Sequence, residues 1–151
     1  MADYRSILNT QVSDVQPPPE LPTGTWKVRY TAWSDTKLND ENNPALLLMF
    51  KLVEPTSETE DEGLDEFMSF YKNDPASSDR TIIHRMSVDD AQQWRIKDLF
   101  ERVLQYDPGE GGTFADLLSG AKGAECYARV TRTERDERVY ENLRDFTPLE
   151  A

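Results

Sequence analysis

The sequence predicts a mainly β protein with one amphipathic helix set late in the chain. Two observations carry that reading. Strand-like apolar runs occur at 25–32, 45–53 and 64–71 and again at 124–133 and 138–147, and a helical stretch at 88–106 separates the two groups. Three strands, a helix and two more strands is the order of a five-stranded OB-fold barrel with one α-helix between strands 3 and 4, an architecture that often holds oligonucleotides or oligosaccharides. Fold alone does not define function, so the residues on its faces must.

The first run alternates cleanly. Trp26, Val28, Tyr30 and Ala32 fall on one side, and Lys27, Arg29, Thr31 and Trp33 on the other, which predicts a core face and an outward face with two cations and a tryptophan. Residues 34–43 are polar, end at Asn43-Pro44 and read as the first barrel loop. The second run is apolar almost throughout (Leu46 to Phe50), so Leu47 and Met49 need cover on the outward side as well. Between 54 and 66 lie Glu54, Glu58, Glu60, Asp61, Glu62, Asp65 and Glu66 with no base, the composition of a solvated loop.

In the third run Phe67, Ser69 and Tyr71 alternate with Met68, Phe70 and Lys72. Residues 72–80 carry turn chemistry in Asn73-Asp74-Pro75 and Ser77-Ser78-Asp79. For the helix, Ser87 is placed to cap and Asp90 to complete a capping box. Ile96, Leu99, Phe100, Val103 and Leu104 follow helical spacing and would plug the barrel end, and Asp107-Pro108-Gly109 stops the helix. One further short turn is expected at 113–119, closed by Gly120.

In the fourth strand Ala124, Cys126, Ala128 and Val130 alternate with Glu125, Tyr127, Arg129 and Thr131. The fifth sets Val139 and Leu143 on a face with Glu141 and Asp145, opposite Tyr140 and Phe146. That mixture predicts a bulge or a sharp bend. Residues 1–24, with Pro17-Pro18-Pro19 and Pro22, read as an extended proline-rich arm; 25–148 form the OB domain and 149–151 a short tail.

Composition narrows the chemistry. The chain has 151 residues, 37% of them hydrophobic and 30% charged, enough for a single core. Its formal net charge of −12 argues against a general binder of duplex DNA or acidic membranes, but a local basic groove can coexist with acidic surface elsewhere. Cys126 is the only cysteine and His84 the only histidine, so a cysteine zinc site, an intrachain disulfide and a histidine cluster are excluded. Gly109-Glu110-Gly111-Gly112 lacks the lysine and hydroxyl residue of a phosphate loop. No catalysis, cofactor or metal is expected. The first residues form no apolar signal segment, and no run approaches the ~18–20 apolar residues that span a bilayer, which predicts a cytoplasmic location and no membrane partner.

What remains is a binding pattern of cations among aromatics. Segment 26–37 carries Lys27, Arg29 and Lys37 against Asp35 alone, and Lys122, Arg129, Arg132, Arg135, Arg138 and Arg144 stand in segment 122–144. Trp33, Tyr71 and Tyr127 lie among them at positions expected to face outward. Single strands are held this way, cations following phosphates while bases stack on rings at ~1–3 kcal/mol each. Lys27, Arg29, Trp33, Lys51, Lys72, Tyr127, Arg129 and Arg132 are therefore the candidate nucleic-acid-binding residues, with homo-oligomerisation left open.

Several short segments also match a known pattern. These are Leu21-Pro22-Thr23-Gly24-Thr25-Trp26, Asn43-Pro44 before the apolar run 46–52, and Ser87-Val88-Asp89-Asp90-Ala91 with Trp94, Leu99 and Phe100. Leu118, Gly120, the run 125–130 and Tyr140-Glu141-Asn142-Leu143 complete the set. Over about 22–148 the chain resembles a phage-encoded family, long known only as a domain of unknown function, of single-stranded DNA-binding OB proteins found beside recombination and replication genes. The resemblance implies a protein that coats single-stranded DNA in phage replication or recombination in the host cell, working with the enzymes of those processes. Two other classes fit the acidity: a DNA mimic that inhibits a host enzyme, and a phage structural or assembly component.

Overall fold

A computed structural model describes residues 19–35, 44–78 and 80–149, together with position 8. The polyproline arm through Pro18, residues 36–43 of the first loop with Lys37, and residues 150–151 lie outside the described residues.

The chain forms a mainly β structure built on a five-stranded, wholly antiparallel open sheet. Its strands are β1 (Gly24–Asp35), β2 (Ala45–Thr59), β3 (Ile82–Ser87), β4 (Glu125–Arg135) and β5 (Arg138–Thr147), in spatial order β3-β2-β1-β4-β5. The sheet curls until its edges approach. The His84 ring on β3 lies 4.7 Å from that of Phe146 on β5, yet no backbone ladder joins the two strands.

The core fills the concave side. Trp26, Val28 and Tyr30 of β1, Leu48, Phe50 and Leu52 of β2, and Cys126, Ala128 and Val130 of β4 are all buried, as alternation predicts. Tyr30 stands at the centre. Its ring lies edge-on to Phe100 at 5.2 Å, and its hydroxyl donates to the Leu118 carbonyl at 2.6 Å. Burial without a charged partner pushes that phenol up to about 12. Leu21, ahead of the sheet, also joins the core, and the Trp26 indole N–H donates to the Pro22 carbonyl at 2.9 Å. The end of the arm is thus part of the domain's packing.

Residues 64–71, expected as the third strand, instead form the helix α1 (Leu64–Phe70). Leu64, Phe67, Met68 and Tyr71 recur at helical spacing, Leu, Glu and Met favour helix, and Asp65 and Glu66 suit its first turn. Phe67 is buried edge-on against Trp26 at 5.6 Å, while Phe70 points outward. The third strand comes later, at β3, where Ile82, His84 and Met86 alternate with Ile83 and Arg85.

The expected helix at 88–106 is shorter and mixed. A 3-10 turn (Asp90–Gln92) leads into α2 (Gln93–Asp98), which widens into a π turn (Leu99–Val103). Ile96, Leu99, Phe100, Val103 and Leu104 are buried as expected. Ser87 caps only loosely, its hydroxyl accepting from the Asp89 amide at 3.3 Å, and no capping box forms there. The chain leaves this element at Gln105, which takes a left-handed conformation, ahead of the expected stop at Pro108. The capping box stands at the next helix, α3 (Phe114–Gly120), where Thr113 and Asp116 exchange side-chain and backbone bonds. Gly120 leaves room there for the Tyr106 ring, whose hydroxyl end would have to shift to admit a Cβ.

Bulges set the orientation of side chains. The β1–β2 register passes from Tyr30↔Phe50 to Ala32↔Met49, leaving Thr31 as an extra residue. On β5, Asp145 takes φ 54° where the register slips between Tyr127↔Thr147 and Arg129↔Arg144. The slip brings Phe146 to the side of Leu143, against Phe50 at 5.4 Å. This is the bulge that the mixed fifth strand foretold.

The two readings of residues 64–71 differ in which ring is buried. Phe67→Ala is expected to cost about 3–5 kcal/mol in urea unfolding and Phe70→Ala less than about 1 kcal/mol. Equal losses would contradict the helix.

Candidate nucleic-acid interface

The outward face is built by the residues that alternate with the core. Ladder partners share a face, so Lys51 beside Arg29, Lys27 beside Tyr127, and Arg129 beside Arg144 form successive rows across β2, β1, β4 and β5. On β3, Ile83 and Arg85 face outward beside Met49 and Leu47. Folding therefore brings Lys27, Arg29, Lys51, Tyr127 and Arg129 onto one surface, although they come from segments some hundred residues apart.

Most of these cations are already engaged. Glu125 accepts from Arg29 Nε at 3.0 Å and Nη2 at 2.8 Å, and lies 3.5 Å from Lys27 Nζ. Lys27 also lies 3.7 Å from Glu54, and Arg129 meets Asp145 at 2.7 Å. Lys51 and Arg144 have no ion-pair partner among the described residues.

The other candidates lie elsewhere. Arg132 holds Glu20 and Glu60 and ties the arm to β4; hydrogen bonds from Thr23 keep the Glu60 carboxyl below its ordinary range, with Arg132 adding to the effect. Lys72 stands exposed in the turn after α1 and not on a strand. Trp33, expected outward, is turned by the Thr31 bulge to lie opposite the buried Leu48, on the other side of the sheet and 37% exposed. Tyr71 packs on Phe67 at 5.0 Å and is not outward. The acidic stretch after residue 53 is only partly a loop: β2 continues to Thr59, with Glu54 in the strand beside Lys27.

Where β3 and β5 face each other, a cleft of about 560 Å³ opens on the outward side, lined by Ile83, His84, Arg85, Arg129, Arg144, Asp145 and neighbouring β5 residues. Arg85 and Arg144 were not among the sequence candidates. In the sequence Arg144 stands as one base in a mixed segment, and the alternation over Ile82–Ser87 that places Arg85 on a strand is the signal available for Arg85.

His84 forms part of the cleft wall, its ring against Phe146. Burial, and then the positive charge of Arg144, push its imidazole down to about 4. Cys126 is buried, which pushes its thiol up to about 12 and leaves no thiolate at neutral pH. Among the described residues no cluster of His, Cys, Asp and Glu is placed to hold a metal ion, and no helix is long and apolar enough to cross a membrane. No protein-family model and no curated protein matches the chain.

The depressed His84 predicts a pH dependence with a definite sign. Between the ordinary value of 6.5 and about 4, the unfolded chain binds a proton that the folded chain refuses. The stability contributed by neutral His84 is complete above that window and falls as pH drops through it, by on the order of 3 kcal/mol in all. Urea midpoints at neutral and mildly acid pH should show this loss, and His84→Gln should reduce it. An equal loss in the variant would assign the effect to other groups.

Proposed function

We propose that the chain is an OB-type barrel that binds single-stranded DNA without catalysis or sequence preference, its outward cations following the phosphates. The barrel reading is supported by the strand order, by the approach of edges β3 and β5, and by the helical segment between β3 and β4 that packs Phe100 against Tyr30. One observation carries the ligand reading. Arg85, Arg129 and Arg144 converge from three strands on one open cleft, where Asp145 is the one carboxylate among the described lining residues, in a chain whose net charge is −12.

In so acidic a molecule, a basic groove is where an anion concentrates. Lys51, Arg29 and Lys27 lie on the same outward face of the sheet as these arginines, with Tyr127 paired to Lys27 as a surface for a base. Coating of single strands in phage replication or recombination, in the host cytoplasm, rests on the sequence resemblance and belongs to the same proposal.

A second reading has its own observation. A cleft of about 410 Å³ is lined by Glu20, Glu60, Glu62 and Glu66 around Arg132, which suits a basic protein partner and the acidic interaction module.

Anisotropy of labelled oligo-dT at low salt separates the two. Strand binding predicts saturable association that weakens steeply with salt. Arg144→Ala should lower affinity about fivefold or more and reduce the salt slope by about 0.7, the value for one single-strand phosphate contact. Absence of binding at low salt would overturn this reading and favour the acidic module.

A further inference from the structure

On the single-strand reading above, we infer that the outward face holds two phosphate subsites that are occupied, in the unliganded protein, by its own carboxylates. The first is the Lys27–Arg29 pair filled by Glu125. One Glu125 oxygen takes both Arg29 bonds, at 3.0 and 2.8 Å, and the other lies 3.5 Å from Lys27 Nζ. The second is Arg129, held by Asp145 at 2.7 Å, with Arg144 directly across the ladder.

A phosphate is the chemical equivalent of what already sits there. Both are oxyanions that accept paired guanidinium N–H bonds, so a backbone phosphate satisfies Arg29 or Arg129 as the carboxylate does. Carboxylate and phosphate cannot share the cations without like-charge repulsion. Binding must therefore displace Glu125 and Asp145 into water. Neither carboxylate is locked in place by deep burial. Asp145 is 65% exposed, and Glu125, at 23%, lies on the solvent side of β4 next to the buried Cys126.

Asp145 is placed for this by its backbone. Its φ of 54° is a conformation that Asp tolerates better than most residues, and the bulge sets its carboxylate on Arg129 while Phe146 turns inward. Lys51 and Arg144 border the two subsites without an ion-pair partner among the described residues, so they meet an incoming strand first. The internal acids then act as a threshold. They keep the cations ordered, suppress binding of isolated anions, and yield to a chain of phosphates that engages both subsites together.

The test uses the full chain with oligo-dT and three charge-matched variants. Glu125→Gln and Asp145→Asn preserve shape and remove the competing charge, whereas Glu101→Gln makes the same change at the Lys97 pair on the π turn, off the sheet. Circular dichroism and thermal melting confirm folding, and the two subsite variants test the idea independently.

Glu125→Gln and Asp145→Asn should each bind oligo-dT about three- to tenfold more tightly, with a steeper salt dependence, and Glu101→Gln should stay within twofold. Wild-type binding with unchanged or weaker affinity in both subsite variants would overturn the inference and leave the single-strand reading standing. An equal gain in Glu101→Gln would also overturn it, by showing an effect of net charge alone. No binding by the wild type or any variant at low salt would remove the single-strand reading itself.

Discussion

The alternation of β1 between core and solvent is the constraint on which the rest of the structure depends. This strand lies at the middle of the sheet, paired with β2 on one side and β4 on the other. Its inward residues Trp26, Val28 and Tyr30 anchor the core from α1 to the π turn, through the edge contacts of Trp26 with Phe67 and of Tyr30 with Phe100. Because the side-chain period of a strand is two, the same packing forces Lys27 and Arg29 outward. The basic face follows from the apolar one.

Irregularities then edit that face. The extra residue at Thr31 removes Trp33 from it, and the left-handed Asp145 sends Phe146 into the core while leaving Arg129 and Arg144 outside. Gly24, at φ 106°, lets β1 start against β2 where a Cβ would stand 2.3 Å from the Glu58 carbonyl. The seam between β3 and β5 is closed by side chains in place of a ladder: His84 on Phe146, and the Arg80–Glu141 pair. Exposed edges are places where sheets accept new partners. Here the gap is walled by arginines and by a histidine that burial keeps neutral.

Much of this was legible in the chain. The strands β1, β2, β4 and β5, the burial of Ile96, Leu99 and Phe100, and the bulge in β5 all follow from period and composition. Residues 64–71 misled because Phe67, Ser69 and Tyr71 satisfy a period of two while Leu64, Phe67, Met68 and Tyr71 satisfy a helical one. Tertiary packing on Trp26 decides between them. The placement of Trp33 was hidden by a one-residue bulge that no local pattern marks. The pairing of Arg29 with Glu125 was hidden by their separation of 96 positions in sequence. Arg85 and Arg144 gain meaning only when the sheet curls and its edges meet.

A net charge of −12 and a face rich in cations are compatible when the cations are gathered and the acids dispersed or paired. The most direct measurement is an amide NMR titration of the isotopically labelled protein with oligo-dT. Shift changes should concentrate on Arg29, Lys51, Ile83, Tyr127 and Arg144, tracing one band from β2 across β1, β4 and β5 to the seam. Changes centred on the exposed Trp94 of α2 or on the acidic cleft around Arg132, with that band silent, would contradict the account.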